Sequence, residues 1–202
     1  MSKYSDYNII SIGDHCAISM ILKELKLRKI SYPFDWISHK DQLNNTNILY
    51  NISILKELVD IEDTNIIVNK YISNAFTNNK INEVNNLWFP HESNIIEETF
   101  NKYNRRFIRL KNDIYKKNIF ILLTRKYYID EVSFNSIIEQ LTSYNSESVI
   151  LFISGIDHPY IHTLNNNNII FKYIEYDTSK FYRYDYSDFR PKIKQYLSEL
   201  LI

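Results

Sequence analysis

The sequence predicts a single α/β domain spanning residues 1–202. It should form three layers, with a mainly parallel sheet of about five strands covered by helices on both faces. Three observations point there. A chain of 202 residues is enough for one substantial core and marginal for two. Continuous apolar runs such as 118–124 (NIFILLT) and 148–154 (SVILFIS) read as strands buried on both faces. They alternate with segments whose apolar residues recur at helical spacing, and no internal repeat or linker interrupts the pattern.

The elements follow in order. Residues 8–12 (NIISI) form a β-branched run that ends at Gly13, which predicts a strand and a turn. From Ala17 the period changes: apolar residues at 17, 18, 21, 22 and 25 share one helical face, with Lys23, Glu24 and Lys26 opposite. Segment 27–43 is broken by Pro33 and carries Tyr32, Phe34 and Trp36, so this apolar loop must pack down. Leu43, Ile48, Leu49, Ile52, Leu55 and Leu58 predict a second helix. Residues 65–71 (NIIVNKY) read as a short strand, and 87–93 (LWFPHES) as an aromatic turn. A long amphipathic helix is expected over about 94–117, with Ile96, Phe100, Tyr103, Phe107, Leu110 and Ile114 as its stripe. A helix at 131–144, a strand at 168–176 and a closing helix at 188–201 complete the pattern.

Composition limits the partners. Hydrophobic residues make up 45% and charged residues 24%, the balance of a globular protein. Basic and acidic residues cancel at 24 each, so no global field draws the chain to nucleic acid or an anionic membrane, and neither is expected as a partner. No apolar run reaches the ~20 residues of a membrane helix, and the opening MSKYSDYN lacks the apolar segment of a secretory signal. A cytoplasmic location is expected. The 33 Ile and 24 Asn beside 2 Gly suggest an AT-rich coding sequence, as in some large DNA viruses, protists and low-GC bacteria. In a viral protein the compartment would be the host cytoplasm. Cys16 is the only cysteine, which rules out an internal disulfide and a cysteine-rich zinc site. No histidine or carboxylate spacing suits a metal, so neither metal nor cofactor is expected.

Candidate chemistry centres on 7–16 (YNIISIGDHC). Ligands of open α/β sheets bind beyond the carboxyl ends of the strands, and Cys16 falls at such an end, where a helix begins. The helix dipole there should lower the thiol pKa, and the free N–H groups could hold an oxyanion. A lone cysteine also serves as a small buried apolar filler, and that reading stays open. His15 adjoins the thiol in sequence but side chains at a turn diverge, whereas His158 follows the strand 148–154 at the same sheet edge and is favoured as a base by fold geometry. His39 and His162 are expected on the surface.

Residues 11–37 (SIGDHCAISMILKELKLRKISYPFDWI) resemble the signature of the family of predicted papain-like cysteine peptidases of unknown function. Gly13, Cys16, Arg28, Ser31, Pro33, Phe34, Asp35 and Trp36 fall into that pattern. Its second block, an aromatic-Pro-His turn followed by paired arginines, is matched by Phe89, Pro90, His91, Arg105 and Arg106. The resemblance implies Cys16 as nucleophile and His91 as its base, with Asp35 orienting His91 or binding substrate. Asp14, His15, Trp36 and Arg106 would line the substrate side. Asp35 could instead pair with Arg28 or Arg106 as a structural carboxylate, and the arginines of 105–109 could be a solvated helix face. A papain-like protein would be α+β, with the cysteine helix in a helical half and the histidine on an antiparallel sheet. That is the alternative fold.

A weaker similarity links SIGDHC to the hydrolases with a Gly-Asp-Ser turn, a flavodoxin-like (SGNH-like) α/β group acting on esters and glycan acyl groups. Here His15 stands at the serine position, and Asp157-His158 is the nearest substitute for the late Asp-x-x-His pair. Cys16 is thus left as the nucleophile. The functions in view are a cysteine-dependent peptidase, acyl hydrolase or transferase, a glycan-modifying or glycan-binding protein using the same pocket, and a non-catalytic binding module. The tyrosines of 180–189 (KFYRYDYSDF) could line a sugar groove. Peptide, acyl or glycan groups are the expected substrates, and the sequence does not fix an oligomeric state.

Overall fold

The computed structural model describes residues 3–13, 16–39, 46–72, 81–82, 87–89, 91–92, 95–125, 127–164, 167–175 and 189–202. In chain order the elements are β1 (Asn8–Ser11), α1 (Ala17–Glu24), β2 (Ser38–His39), α2 (Thr46–Asp60), α3 (Thr64–Tyr71), β3 (Ile81–Asn82), β4 (Leu87–Trp88) and α4 (Ile96–Asp113). β5 (Asn118–Thr124), α5 (Glu131–Tyr144), β6 (Val149–Ser154), β7 (Ile169–Tyr173) and α6 (Phe189–Leu201) follow.

Four strands form the central sheet in the order β1-β5-β6-β7, every neighbouring pair parallel. The register pairs Ile10 with Phe120, Leu122 with Phe152, and Phe152 with Phe171. Side chains alternate across a strand, so each strand feeds two cores. Ile10, Phe120, Leu122, Ile150 and Phe152 pack under α2, α3, α4 and α5. Ile119, Ile121, Leu123, Leu151 and Ile153 pack under α1 and α6. Both faces are covered, which explains why β5 and β6 are buried at every position and read as unbroken apolar runs.

The α/β reading therefore holds, with four central strands among the described residues where about five were expected. A papain-like α+β arrangement is not what these strands build. A second, three-stranded antiparallel sheet in the order β2-β4-β3 sits apart from the first, and its strands adjoin the turns that carry Trp36 and His91.

One element differs in kind. Residues 65–71, which read as a strand in the sequence, lie within helix α3. The β-branched run suggests extension, but Thr64, Ile67, Val68 and Tyr71 are buried at spacings of three and four, which is a helical face. Asp63 caps it, its side chain accepting from the Asn65 N–H at 2.9 Å. Losing that cap leaves an N–H of the first turn without its partner. Asp63→Ala should lower global stability by about 1 kcal/mol, read as a shift of the urea midpoint at unchanged slope.

Candidate active site

The chain leaves β1 at the carboxyl edge of the sheet, where the Ile12 N–H still donates to Ile121 O at 2.8 Å. Gly13 then lies flat against β5: a Cβ there would come 3.2 Å from Leu123 Cβ, so any side chain would push the exit away from the sheet. From α2, Asn51 donates its side-chain N–H to Gly13 O at 3.2 Å. Cys16 follows as the N-cap residue of α1, 6% exposed. Asp14 and His15, between them, lie outside the described residues.

The partner of the thiol comes from 75 residues away in sequence. His91 stands just past β4, exposed, with Nε2 3.6 Å from Cys16 Sγ. That is hydrogen-bond reach for sulfur, within the looser range of an apo nucleophile–base pair. The edge of the imidazole meets Trp36, ring centroids 5.5 Å apart at 75°. Among the described residues His91 Nδ1 has no hydrogen-bond partner, so the aromatic contact orients the ring where a carboxylate or amide often does.

Trp36 is held in turn. Its Nε1–H donates to Ser31 Oγ at 3.1 Å, and the Arg28 guanidinium lies over its ring, 5.5 Å from the centroid. Ser31 directs its own hydroxyl proton to Asp35 at 2.9 Å. The buried Asp35 carboxylate also accepts from Ser19 Oγ at 2.5 Å and from the Tyr32 N–H at 3.0 Å, with Arg28 Nη1 3.9 Å away. Ser19 is on α1, one turn after Cys16. The aromatic turn and the cysteine helix are thus tied by one carboxyl group.

Residues 7–196 match the family DUF1796, described as putative papain-like cysteine peptidase. The chain belongs to this family. No curated protein and no solved structure matches it. Arg28, Ser31, Asp35, Trp36 and His91 form one connected chain of contacts that ends at Cys16.

The electrostatics of the family's cysteine differ from the sequence expectation. A thiol at a helix start should be acidified, yet burial pushes the Cys16 pKa up. Its own backbone hydrogen bond and the guanidinium groups of Arg125 and Arg190 oppose that shift without reversing it. α1 has only eight residues, so its dipole is small, while Cys16 is nearly closed off from water. The resting thiol is neutral. For Asp35, too, burial raises the pKa, against the lowering by Ser19, the Tyr32 amide, Ser31 and Arg28.

Other expected site residues take structural places. Asp35 has no contact with His91 among the described residues, and its oxygens are committed to Ser19, Ser31 and Tyr32. His158 is fully buried in an aromatic box, its ring stacked on Tyr128 at 5.0 Å. The Ile129 N–H donates to its Nε2 at 3.1 Å, so Nδ1 carries the proton and donates to Ile156 O at 3.0 Å. Both nitrogens are occupied and burial lowers its pKa, which makes it a neutral core histidine. Arg106 is buried as well, with its guanidinium on Glu92 at 3.2 Å and over the Tyr103 ring. His162 is exposed, 3.4 Å from Asp157. His39 contributes backbone pairing to β2. Of the tyrosine-rich stretch, 180–188 lies outside the described residues.

The sequence does not single out Ser19, Asn51, Glu92 or Arg125. Two of these leave a signal in it. Ser19 is a polar residue on the apolar face of a short helix, and Arg125, 1% exposed, directly follows the most apolar strand at its carboxyl end. Among the described residues no group of three His, Cys, Asp or Glu could hold a metal ion, and no helix is long and apolar enough to cross a membrane.

Two outcomes follow from this geometry. Cys16 alkylation by iodoacetamide should be slow at neutral pH, with its thiolate limb centred above that of the same thiol in the urea-unfolded chain; a midpoint at or below the unfolded one would refute the burial argument. Asp35→Ala leaves two hydroxyls and an amide to be satisfied in the core, and should destabilise by about 2–4 kcal/mol in urea unfolding.

Proposed function

We propose that this protein is a cysteine-dependent hydrolase of the peptidase or acyl-hydrolase kind, with Cys16 as nucleophile and His91 as general base and acid. The observation that carries the reading is the 3.6 Å approach of His91 Nε2 to Cys16 Sγ across 75 residues of sequence. Family membership supports the class of reaction.

The chemistry runs from a neutral pair. As Sγ attacks a substrate carbonyl carbon, Nε2 takes the thiol proton, so deprotonation and C–S bond formation are coupled. The carbonyl π electrons move onto oxygen, and amides of the first turn of α1 would receive that oxyanion. The tetrahedral intermediate collapses, the C–N or C–O bond breaks, and imidazolium returns its proton to the leaving group. Water then attacks the thioester with His91 again as base, which releases the acid and restores the thiol. Burial of Cys16 favours this coupled route over a resting thiolate–imidazolium pair, because an isolated ion pair would have to be desolvated before substrate arrives.

The reading is tested by turnover of a panel of p-nitrophenyl acyl esters and fluorogenic peptides. For any substrate turned over, Cys16→Ser and His91→Ala should each lower kcat/KM by about 10³-fold or more while urea midpoints stay close to that of the parent protein. A Cys16→Ser protein that keeps the parent rate would end the nucleophile assignment.

A further inference from the structure

His91 is an exposed side chain, so burial does not hold it over the thiol. Its two neighbours along the turn do. Phe89 is fully buried and meets Tyr103 of α4 edge-on, centroids 5.4 Å apart at 86°. On the other side the Glu92 N–H donates to Phe89 O at 3.3 Å, closing a four-residue turn with His91 in its third position. The Glu92 side chain then passes into the protein, only 2% exposed.

A carboxylate so buried needs charged partners, and α4 supplies two. Arg106 Nη1 lies 3.2 Å from Oε1, and Lys102 Nζ makes a short bond to Oε2. Lys102 and Arg106 stand four residues apart, one turn of the same helical face, so the two cations grip the two oxygens from a single rigid element. Arg106 is fixed by packing over the Tyr103 ring, 4.9 Å from its centroid.

We propose that Glu92 is the positioning residue of the site: its buried carboxylate, clamped by Lys102 and Arg106, locks the turn that aims His91 at Cys16. The proposal rests on the reading of His91 as base. It explains why a buried ion pair, which adds little to stability against an apolar alternative, stands next to the candidate base: here it fixes one conformation of an exposed turn. Glu92 acts through the geometry of its neighbour.

The test is the pH profile of Cys16 alkylation by iodoacetamide, measured by mass spectrometry on the full chain. In the parent protein the profile should show a shoulder below the thiolate limb, where His91 Nε2 takes the thiol proton as the C–S bond forms. His91→Ala should remove the shoulder. Glu92→Ala should lower the rate at pH 7 by about tenfold or more and remove the shoulder as well, with the high-pH limiting rate and the near-ultraviolet circular dichroism unchanged. Glu92→Gln keeps the shape and one hydrogen bond to Arg106, and should restore part of the shoulder. If Glu92→Ala fails to fold, the Lys102→Met, Arg106→Met double variant releases the same clamp from the helix side and should give the same loss.

A shoulder retained in the Glu92 and helix-side variants but lost in His91→Ala would overturn the positioning role and leave the base assignment intact. A shoulder that survives His91→Ala would overturn the base assignment, and the clamp with it. A merely structural Glu92 would change the unfolding midpoint without changing the shape of the profile.

Discussion

The approach of His91 to Cys16 depends on a carboxyl group whose oxygens are spent on donors inside the protein. Asp35, sealed under the aromatic turn, draws together a hydroxyl from α1, a hydroxyl from the loop, a backbone amide and, at longer range, a guanidinium. Each donor belongs to a segment with little reason of its own to be there. The turn carries only a three-residue 3-10 helix, Pro33–Asp35, and α1 is too short to fix its own orientation. Shared donation to one buried acceptor sets both, and Ser31, which donates to Asp35 while accepting from Trp36, passes that order to the ring against His91.

α4 completes the arrangement from the other side. Asp113 near its end accepts from the Tyr32 hydroxyl at 2.8 Å, so the helix that grips the His91 turn also holds the turn of Asp35. Cys16 and His91 thus come from different layers: Cys16 begins a helix packed on one face of the parallel sheet, and His91 follows a strand of the small antiparallel sheet and is anchored to α4 on the other face. A helix-borne cysteine and a histidine beside an antiparallel strand thus meet around a parallel α/β core.

Much of this is legible in the order of residues alone. β5 and β6 announce themselves because burial on both faces leaves no polar position in the run, and α5 and α6 because one face is apolar at helical period. α3 does not, since Ile66, Ile67 and Val68 suit a strand locally, and only burial at 64, 67, 68 and 71 decides for a helix. In the site, Cys16, His91, Asp35 and Trp36 stand out through their family pattern, but their division of labour does not. Whether Asp35 faces the imidazole or the serines, and whether Arg106 faces substrate or Glu92, depends on side-chain direction across contacts of 14 to 16 residues or more in sequence. His158 misleads for a related reason: its position at the sheet edge is that of a functional residue, and only its two main-chain bonds show that it is spent on structure.

The buried, protonated state of Cys16 also bears on its chemical lifetime. Oxidation by peroxides proceeds through the thiolate, so a thiol whose pKa is raised by burial reacts slowly with them. The sequence contains no second cysteine to trap a sulfenic acid as an intramolecular disulfide. Without that escape, each oxidation of Cys16 would stand one step from irreversible overoxidation. The burial that raises the thiol pKa therefore also shields Cys16 from peroxide.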